Sequence, residues 1–305
     1  MKFSIAISAY KGKFIRECID SILSQTYKDF ELIILNDCSP DNIKEIVNSY
    51  NDERIHYYFN EKNVGAYHVV DNWNKCLSFA KGDYYMQMGD DDKLAPNYLE
   101  EFNHLINKYP DLNVYHCRSI IIDEESTPFN ITDPLPEWES MYSAIYYRLR
   151  YRLQFISDFV YKTKHLKDNG GFYKLPLAWA SDDITSYIAA FDKGIAHINI
   201  PLFYYRSNRY SITSTGNSIT KIKVINTVVE WIKKTIDGQD IENESDTLHI
   251  KLINNYLPVY SYLQKTNLLT SEIKRKKIAW LKEYKELQLS PKLIFKSILN
   301  IRHHK

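Results

Sequence analysis

The chain has 305 residues, 44% hydrophobic and 25% charged, the balance of a globular protein that buries one sizeable core and has length left for a helical appendage. No apolar run approaches the eighteen or so residues of a bilayer-crossing helix. The opening Met1-Lys2-Phe3-Ser4-Ile5 runs straight into a strand pattern without an apolar leader, so an integral membrane or secreted protein is not expected. The net charge of +1 is a cancellation, because residues 271–305 hold ten Lys and Arg against three Asp and Glu while the rest of the chain is acidic.

Phe3 to Ala9 reads as a buried strand. A helix follows over Phe14 to Gln25, with Ile15, Ile19, Ile22 and Leu23 on one face. Phe30 to Leu35 is a second apolar strand, and the turn Asn36-Asp37-Cys38-Ser39-Pro40-Asp41 is rich in residues that open helices. A third strand spans Ile55 to Phe59, a helix runs from Asn63-Val64-Gly65 to about Ala80, and a fourth strand, Asp83 to Met88, ends in Gly89-Asp90-Asp91-Asp92. This alternation predicts an α/β fold with a mostly parallel central sheet flanked by helices. Beyond it, Leu94 to Tyr109 reads as helix, Asn113 to Asp123 as strand, 124–137 as loop and 138–151 as helix. Ser157 to Lys162 reads as strand, Ser181 to Phe191 as helix, and Ala196 to Arg206 as strand interrupted at Pro201. From Ile219 onward every strong period is helical. Cys18, Cys38, Cys76 and Cys117 form no CxxC pair and no zinc spacing with His, the pattern of free thiols in a reducing compartment.

Three adjacent carboxylates at the carboxyl end of a parallel strand repel one another, and a hard cation relieves that repulsion. In open α/β sheets ligands bind at that edge. Asp90, Asp91 and Asp92 therefore fit a Mg²⁺ or Mn²⁺ site shared with diphosphate oxygens; the alternative is an acidic turn capping the helix at Leu94. Asp37, at the end of the second strand, suits a hydrogen bond from a base or ribose, or else an N-cap of the helix near Pro40. Asp182-Asp183, after the Gly170-Gly171 turn and Trp179, suits either a helix cap or a general base. GxGxxG and GxxxxGK[ST] motifs are absent, which disfavours dinucleotide redox and P-loop ATPase chemistry.

Five ordered blocks then resemble the inverting glycosyltransferases of family 2, which have the GT-A fold. Ser8-Ala9-Tyr10-Lys11 stands for the family's P-x-Y-N, and Phe30-Glu31-Leu32-Ile33-Ile34-Leu35-Asn36-Asp37-Cys38-Ser39 for E-L-I-I-V-D-D-G-S. Asn63-Val64-Gly65, Ala80-Lys81-Gly82-Asp83-Tyr84 and Asp90-Asp91-Asp92-Lys93-Leu94-Ala95-Pro96 follow in family order, the last resembling D-x-D-D-x-L-x-P. The resemblance implies a GT-A catalytic domain over 1–215, with a nucleotide-sugar-binding half (1–110) and an acceptor-binding half (111–215), and a helical extension over 216–305. It implies a hexosyl or N-acetylhexosaminyl transferase using a UDP-sugar donor and a saccharide or lipid-linked acceptor, in bacterial capsule or lipopolysaccharide-type polysaccharide biosynthesis in the cytoplasm.

By the same resemblance, Ala9 and Tyr10 border the nucleotide, Asp37 contacts its base, and Asp90 and Asp91 contact ribose and diphosphate. Asp91 or Asp92 is then the ligand for Mn²⁺ or Mg²⁺, and Asp183, in an Asp182-Asp183 pair replacing the family's E-D, is the base. Arg206, Asn208 and Trp179 are candidate diphosphate or acceptor contacts, with Asn208 where a His is frequent. The chain departs from the family at Asn36 (for Asp), Cys38 (for Gly) and Gly89 (for the first Asp of L-D-x-D-D). These departures keep a non-catalytic nucleotide-sugar-binding scaffold in view as the alternative. The basic tail interleaves Lys with apolar residues in Lys274–Lys282 and Pro291–Lys296, suiting peripheral contact with an anionic membrane at the inner face of the plasma membrane, or packing on the catalytic domain. Nucleic acid is not expected, given the acidic body.

Overall fold

The computed structural model describes residues 1–150, 152–208, 211–212, 217–239, 241–276, 287 and 289–302. The long strands are β1 (Phe3–Ala9), β2 (Phe30–Asn36), β3 (Ile55–Phe59), β4 (Tyr84–Met88), β6 (Val114–Ile122) and β10 (Ile195–Arg206). The pairings β1–β2, β1–β4, β2–β3 and β6–β10 are parallel. With the short β5 (Lys93–Leu94) and β9 (Phe159–Lys162), strand order is β3-β2-β1-β4-β9-β6-β10-β5. β9 lies antiparallel between β4 and β6, so all six long strands point one way and their carboxyl ends share one edge.

Alternate residues of the central strands enter two separate cores, because side chains of a strand alternate between faces. Phe3, Ile5 and Ile7 of β1 and Leu32 and Ile34 of β2 pack under Ile15, Cys18, Ile19 and Ile22 of α1 (Ile15–Leu23) and under α4 (Tyr98–Lys108). Ala6, Ile33 and Leu35 face the opposite core, built by α3 (Val69–Phe79), α5 (Met141–Leu149), α7 (Ser181–Ala190) and Val224, Val228 and Ile232 of α8 (Ser218–Ile236). Each fully buried Ile or Leu contributes about 1.5–3 kcal/mol. Being covered on both faces is why these strands read as continuous apolar runs rather than as alternation.

Ile253 and Leu257 of α9 (Glu244–Lys276) belong to that second core, so the helical region is packed onto the α/β unit. Leu293 of α10 (Pro291–Arg302) packs with Ile219, Ile222 and Leu269 in a smaller cluster.

Four short elements escape the sequence pattern. β5 (Lys93–Leu94) pairs with β10, so α4 starts at Tyr98 rather than Leu94. The segment read as loop contains β7 (Pro128–Ile131), an exposed strand on β6, and is followed by β8 (Trp138–Glu139) on β10. α6 (Thr163–Asp168) follows β9 directly. Pro201 does not end β10; the ladder to β6 shifts register there instead, which accommodates a residue with no N–H to donate. The remaining helix, α2 (Ile43–Asn48), closes the nucleotide half.

Candidate active site

The acidic turn is fastened from three sides. Asp90 Oδ2 accepts the backbone N–H groups of Tyr10 (2.7 Å) and Lys11 (2.8 Å), tying β4 to the loop after β1. Asp91 Oδ2 accepts from Lys11 Nζ and from Asn208 Nδ2, each at 2.7 Å. Asp92 Oδ1 accepts the Arg206 N–H at 2.8 Å. The motif is therefore no helix cap; α4 has Asn97 at its N-cap. Gly89 is what lets the last two carboxylates close up. A Cβ there would lie 2.6 Å from Asp92 Oδ2 and 3.1 Å from Asp91 Oδ1, so an Asp at this position, as the family has, would collide with them in this arrangement.

Burial, then the charge of Asp91, pushes Asp90 up to about 6 and Asp92 well above the usual carboxylate range. Neutralising charge is in short supply here. Among the described residues no group of three or more His, Cys, Asp or Glu side chains converges to hold a metal, but a diphosphate-bound Mg²⁺ or Mn²⁺ needs only one or two carboxylates from the protein. Asp91 and Asp92, whose Oδ1 and Oδ2 adjoin over Gly89, fit that requirement, and the Lys11 ammonium lies on the other side of Asp91, between it and Asp90.

Asp37 is held rather than capping. Its Oδ1 accepts from Asn60 Nδ2 (2.7 Å) and the Val64 N–H (3.1 Å), while its own N–H donates to the carbonyl of Ala9 (2.9 Å). The N-cap of α2 is Asn42. Asn36, in place of the family's first Asp, accepts the Ser39 N–H (2.9 Å) and donates to the Tyr57 hydroxyl (2.9 Å). Cys38 keeps the turn in the left-handed region, φ 49°, without a glycine, at a cost of about 1–2 kcal/mol. Ala9 is fully buried and Tyr10 is 44% exposed, so at this edge the tyrosine ring is the part a ligand can reach.

Asp183 sits in the first turn of α7, 5% exposed. Its Oδ1 accepts from both Arg148 Nε (2.8 Å) and Gln154 Nε2 (2.7 Å), leaving Oδ2 without a described partner. Arg148 is itself positioned by the carbonyl of Arg152 (2.8 Å), and Arg152 pairs with buried Glu139, which also meets His197 Nε2 at 3.0 Å. Burial, then the charge of Asp183, raises Asp182 to about 7. The segment leading into α7 is strained: Leu177, Ala178 and Ala180 all have positive φ (62°, 52° and 64°). Non-glycine residues in this region cluster at functional sites.

One cleft of about 410 Å³ joins the acidic turn, through Asp92, to the Asp182–Asp183 pair, whereas Ala9, Tyr10, Asp37, Asp90 and Asp91 do not line it. Asp92, Arg148, Gln154, Trp179, Asp182 and Asp183 line it, and Tyr260 and Gln264 of α9 form part of its wall. Trp179 lies under Lys221, whose Nζ is 4.4 Å from the ring centroid. Asn208 donates to the acidic motif as described. Arg206 behaves differently from the expected diphosphate or acceptor contact. Its side chain has no exposed surface, and its guanidinium donates to the carbonyls of Asp91, Asp123 and Glu124, to Ser126 Oγ and to Glu17. It pins the site from behind. Lys11, Arg148, Gln154, Tyr260 and Gln264 escaped the sequence reading; only Lys11 lay inside a recognisable motif.

The sequence profile of Glycosyl transferase family 2 matches residues 4–165, more than half of the chain. An uncharacterized glycosyltransferase of Rickettsia typhi is 34% identical over 133 residues, which are 43% of this chain and 40% of that protein. The putative colanic acid biosynthesis glycosyl transferase WcaA of Escherichia coli is 36% identical over 109 residues, 33% of this chain and 38% of its own length. The matched stretch thus spans about two fifths of these curated relatives. The structure of S. aureus TarS 1–349 in complex with UDP-GlcNAc superposes with a TM-score of 0.69 at 19% identity, covering 99% of this chain and 90% of that one; this is a likeness of fold, including the helical C-terminal region. With the profile running from β1 through β9 and across the acidic turn, the chain belongs to glycosyl transferase family 2.

Proposed function

We propose that the chain is an inverting, metal-assisted glycosyltransferase that moves one sugar from a nucleotide-diphosphate sugar, most simply a UDP-sugar, to a saccharide or lipid-linked acceptor in cell-surface polysaccharide biosynthesis. The observation that carries this reading is the single cleft lined by Asp92 of the acidic turn on one side and by Asp182 and Asp183 on the other. A donor diphosphate at the first and a proton acceptor at the second is the arrangement a one-step displacement needs.

Asp183, clamped through Oδ1, presents its second oxygen to an acceptor hydroxyl. That oxygen takes the proton as the hydroxyl oxygen bonds to the anomeric carbon. The bond from that carbon to the diphosphate breaks, its electron pair leaves with the phosphate oxygen, and configuration inverts. Asp91 and Asp92 would hold the divalent cation, whose contribution is to neutralise charge on the departing diphosphate. Ala9, Tyr10, Asp37 and Asp90 are read as the nucleotide side, Trp179 as an acceptor platform, and Asn208 as a support for Asp91. Residues 1–215 form the catalytic unit in this reading, and 216–305 add a wall to the acceptor side through Tyr260 and Gln264.

Thermal-shift screening of nucleotide sugars with Mn²⁺, followed by product analysis, tests the proposal. A UDP-sugar is expected to raise Tm in a Mn²⁺-dependent way and to be slowly hydrolysed. Binding with no hydrolysis or transfer would favour the scaffold alternative, and no stabilisation by any nucleotide sugar would remove the reading.

Location at the inner face of the plasma membrane is part of the same proposal. Among the described residues no helix is long and apolar enough to cross a membrane. α10 turns Leu293 and Ser297 inward and leaves Phe295 (65% exposed) and Ile298 (41%) outward beside exposed Lys292 and Lys296, a face suited to an anionic interface. The lysine-rich stretch from Lys277 to Lys282 lies outside the described residues. The protein is expected to co-sediment with vesicles of phosphatidylcholine and phosphatidylglycerol in equal parts and not with phosphatidylcholine alone. Phe295→Ser combined with Lys296→Glu should abolish that binding.

A further inference from the structure

The acidic turn already contains a cation. Lys11 stands where the family's opening motif has Asn, and its ammonium lies 2.7 Å from Asp91 Oδ2 and 3.8 Å from Asp90 Oδ1. Everything around it is fixed. The Lys11 N–H is on Asp90, the Gly12 N–H is on Asp41 (2.6 Å), Asp90 holds two backbone donors, and Asp92 holds one. The Lys11 side chain is the movable part, about a third exposed on four rotatable bonds. A single ammonium leaves three carboxylates under-neutralised, so a divalent cation has electrostatic reason to enter. Asp91 Oδ2 is taken twice, by Lys11 Nζ and by Asn208 Nδ2, so a cation that binds this oxygen must displace a donor, and the lysine is the movable one.

We propose that Lys11 is a resident counter-cation of the acidic motif, occupying the Asp91 oxygen in the metal-free protein, and that a divalent cation binds by displacing it. Metal occupancy and the Lys11–Asp91 ion pair then exclude each other, and Lys11 sets how much free metal the site requires. The displaced ammonium stays on the loop after β1, at the edge where an anionic diphosphate would arrive. The rigid fastening of Asp90 and Asp92 is what keeps the turn from collapsing or splaying when the lysine leaves. This deepens the preceding reading, since it rests on Asp91 and Asp92 as cation ligands, but its test needs neither donor nor acceptor.

The experiment is titration of the full chain with Mn²⁺ alone, reading free Mn²⁺ by electron paramagnetic resonance at low salt. Lys11→Met removes the charge and keeps the stem. It is expected to bind Mn²⁺ at least about tenfold more tightly than wild type, the size of effect a unit charge within 4 Å exerts in a partly buried site. Lys11→Gln should do the same in case the Met variant folds poorly, whereas Lys11→Arg should remain as weak as wild type. Asp91→Asn introduced into Lys11→Met should remove the gained affinity, which locates the ion. Equal or weaker Mn²⁺ binding by folded Lys11→Met and Lys11→Gln would overturn the proposal, as would absence of binding in every form. Either result leaves nucleotide-sugar stabilisation, measured separately, to decide the fate of the transferase reading.

Discussion

Asp183→Asn is expected to lower sugar transfer by about 10²–10⁴-fold, the range a positioned general base contributes, while leaving UDP-sugar binding near the wild-type level. The asparagine amide can still accept through its oxygen from Arg148 Nε and Gln154 Nε2, which meet Asp183 Oδ1 at 2.8 and 2.7 Å. The clamp and the α7 start should therefore survive, and the loss falls on the oxygen left to face the cleft. Asp182→Asn makes the contrast. Burial and the neighbouring charge raise Asp182 to about 7, so near neutrality much of it carries a proton already, and an amide there should change the rate by no more than about tenfold. Single-turnover transfer and isothermal titration with a UDP-sugar separate the two effects. Transfer unchanged in Asp183→Asn would remove it as the base. A parallel loss of nucleotide affinity would show instead that the substitution had disturbed the cleft.

The two halves of the chain differ in how much their sequence discloses. In the first, the central strands β1, β2 and β4 are buried on both faces and the long helices show one apolar stripe; β1 and β3 are legible to the residue and α1 to within two. The acidic turn is equally legible, because three neighbouring carboxylates at a strand end demand an electrostatic explanation. Beyond Tyr109 the determinants are non-local. β8, like β5 before it, is two residues long and exists because β10 offers it a ladder; no two-residue pattern announces such a strand. Asp183 is visible as a carboxylate, but its clamp comes from Arg148, thirty-five positions upstream, and from Gln154 in an irregular segment. Tyr260 and Gln264 reach the cleft only because α9 folds back over α8. Arg206 shows the opposite failure. The family resemblance makes it a candidate diphosphate or acceptor contact, and only the turn at 123–126, which takes up its fork, makes it structural.

Arg206→Ala is accordingly expected to destabilise the fold by about 3–5 kcal/mol, the cost of removing one partner from a buried charged network. The side chain has no exposed surface. Its Nε donates to the Asp91 carbonyl at 2.7 Å, Nη1 to the carbonyls of Asp123 and Glu124 and to Ser126 Oγ, and Nη2 to Glu17 at 3.0 Å, with the guanidinium carbon 4.2 Å from the centroid of the Phe14 ring. Truncation strips donors from three carbonyls and leaves a void under Phe14, and both effects are costly inside a packed structure. Arg206→Lys should recover only part of the loss, because an ammonium cannot reproduce a planar fork that serves five acceptors at once. Urea denaturation measures the change directly. A loss below about 1 kcal/mol, the scale of an exposed ion pair, would mean that the guanidinium is not the pin described here. Its Nε holds the backbone of Asp91 itself, so the destabilised protein should also lose Mn²⁺-dependent nucleotide-sugar binding before it unfolds. A diphosphate ligand at this position would lose that binding with its stability intact, and the order of the two losses tells the roles apart.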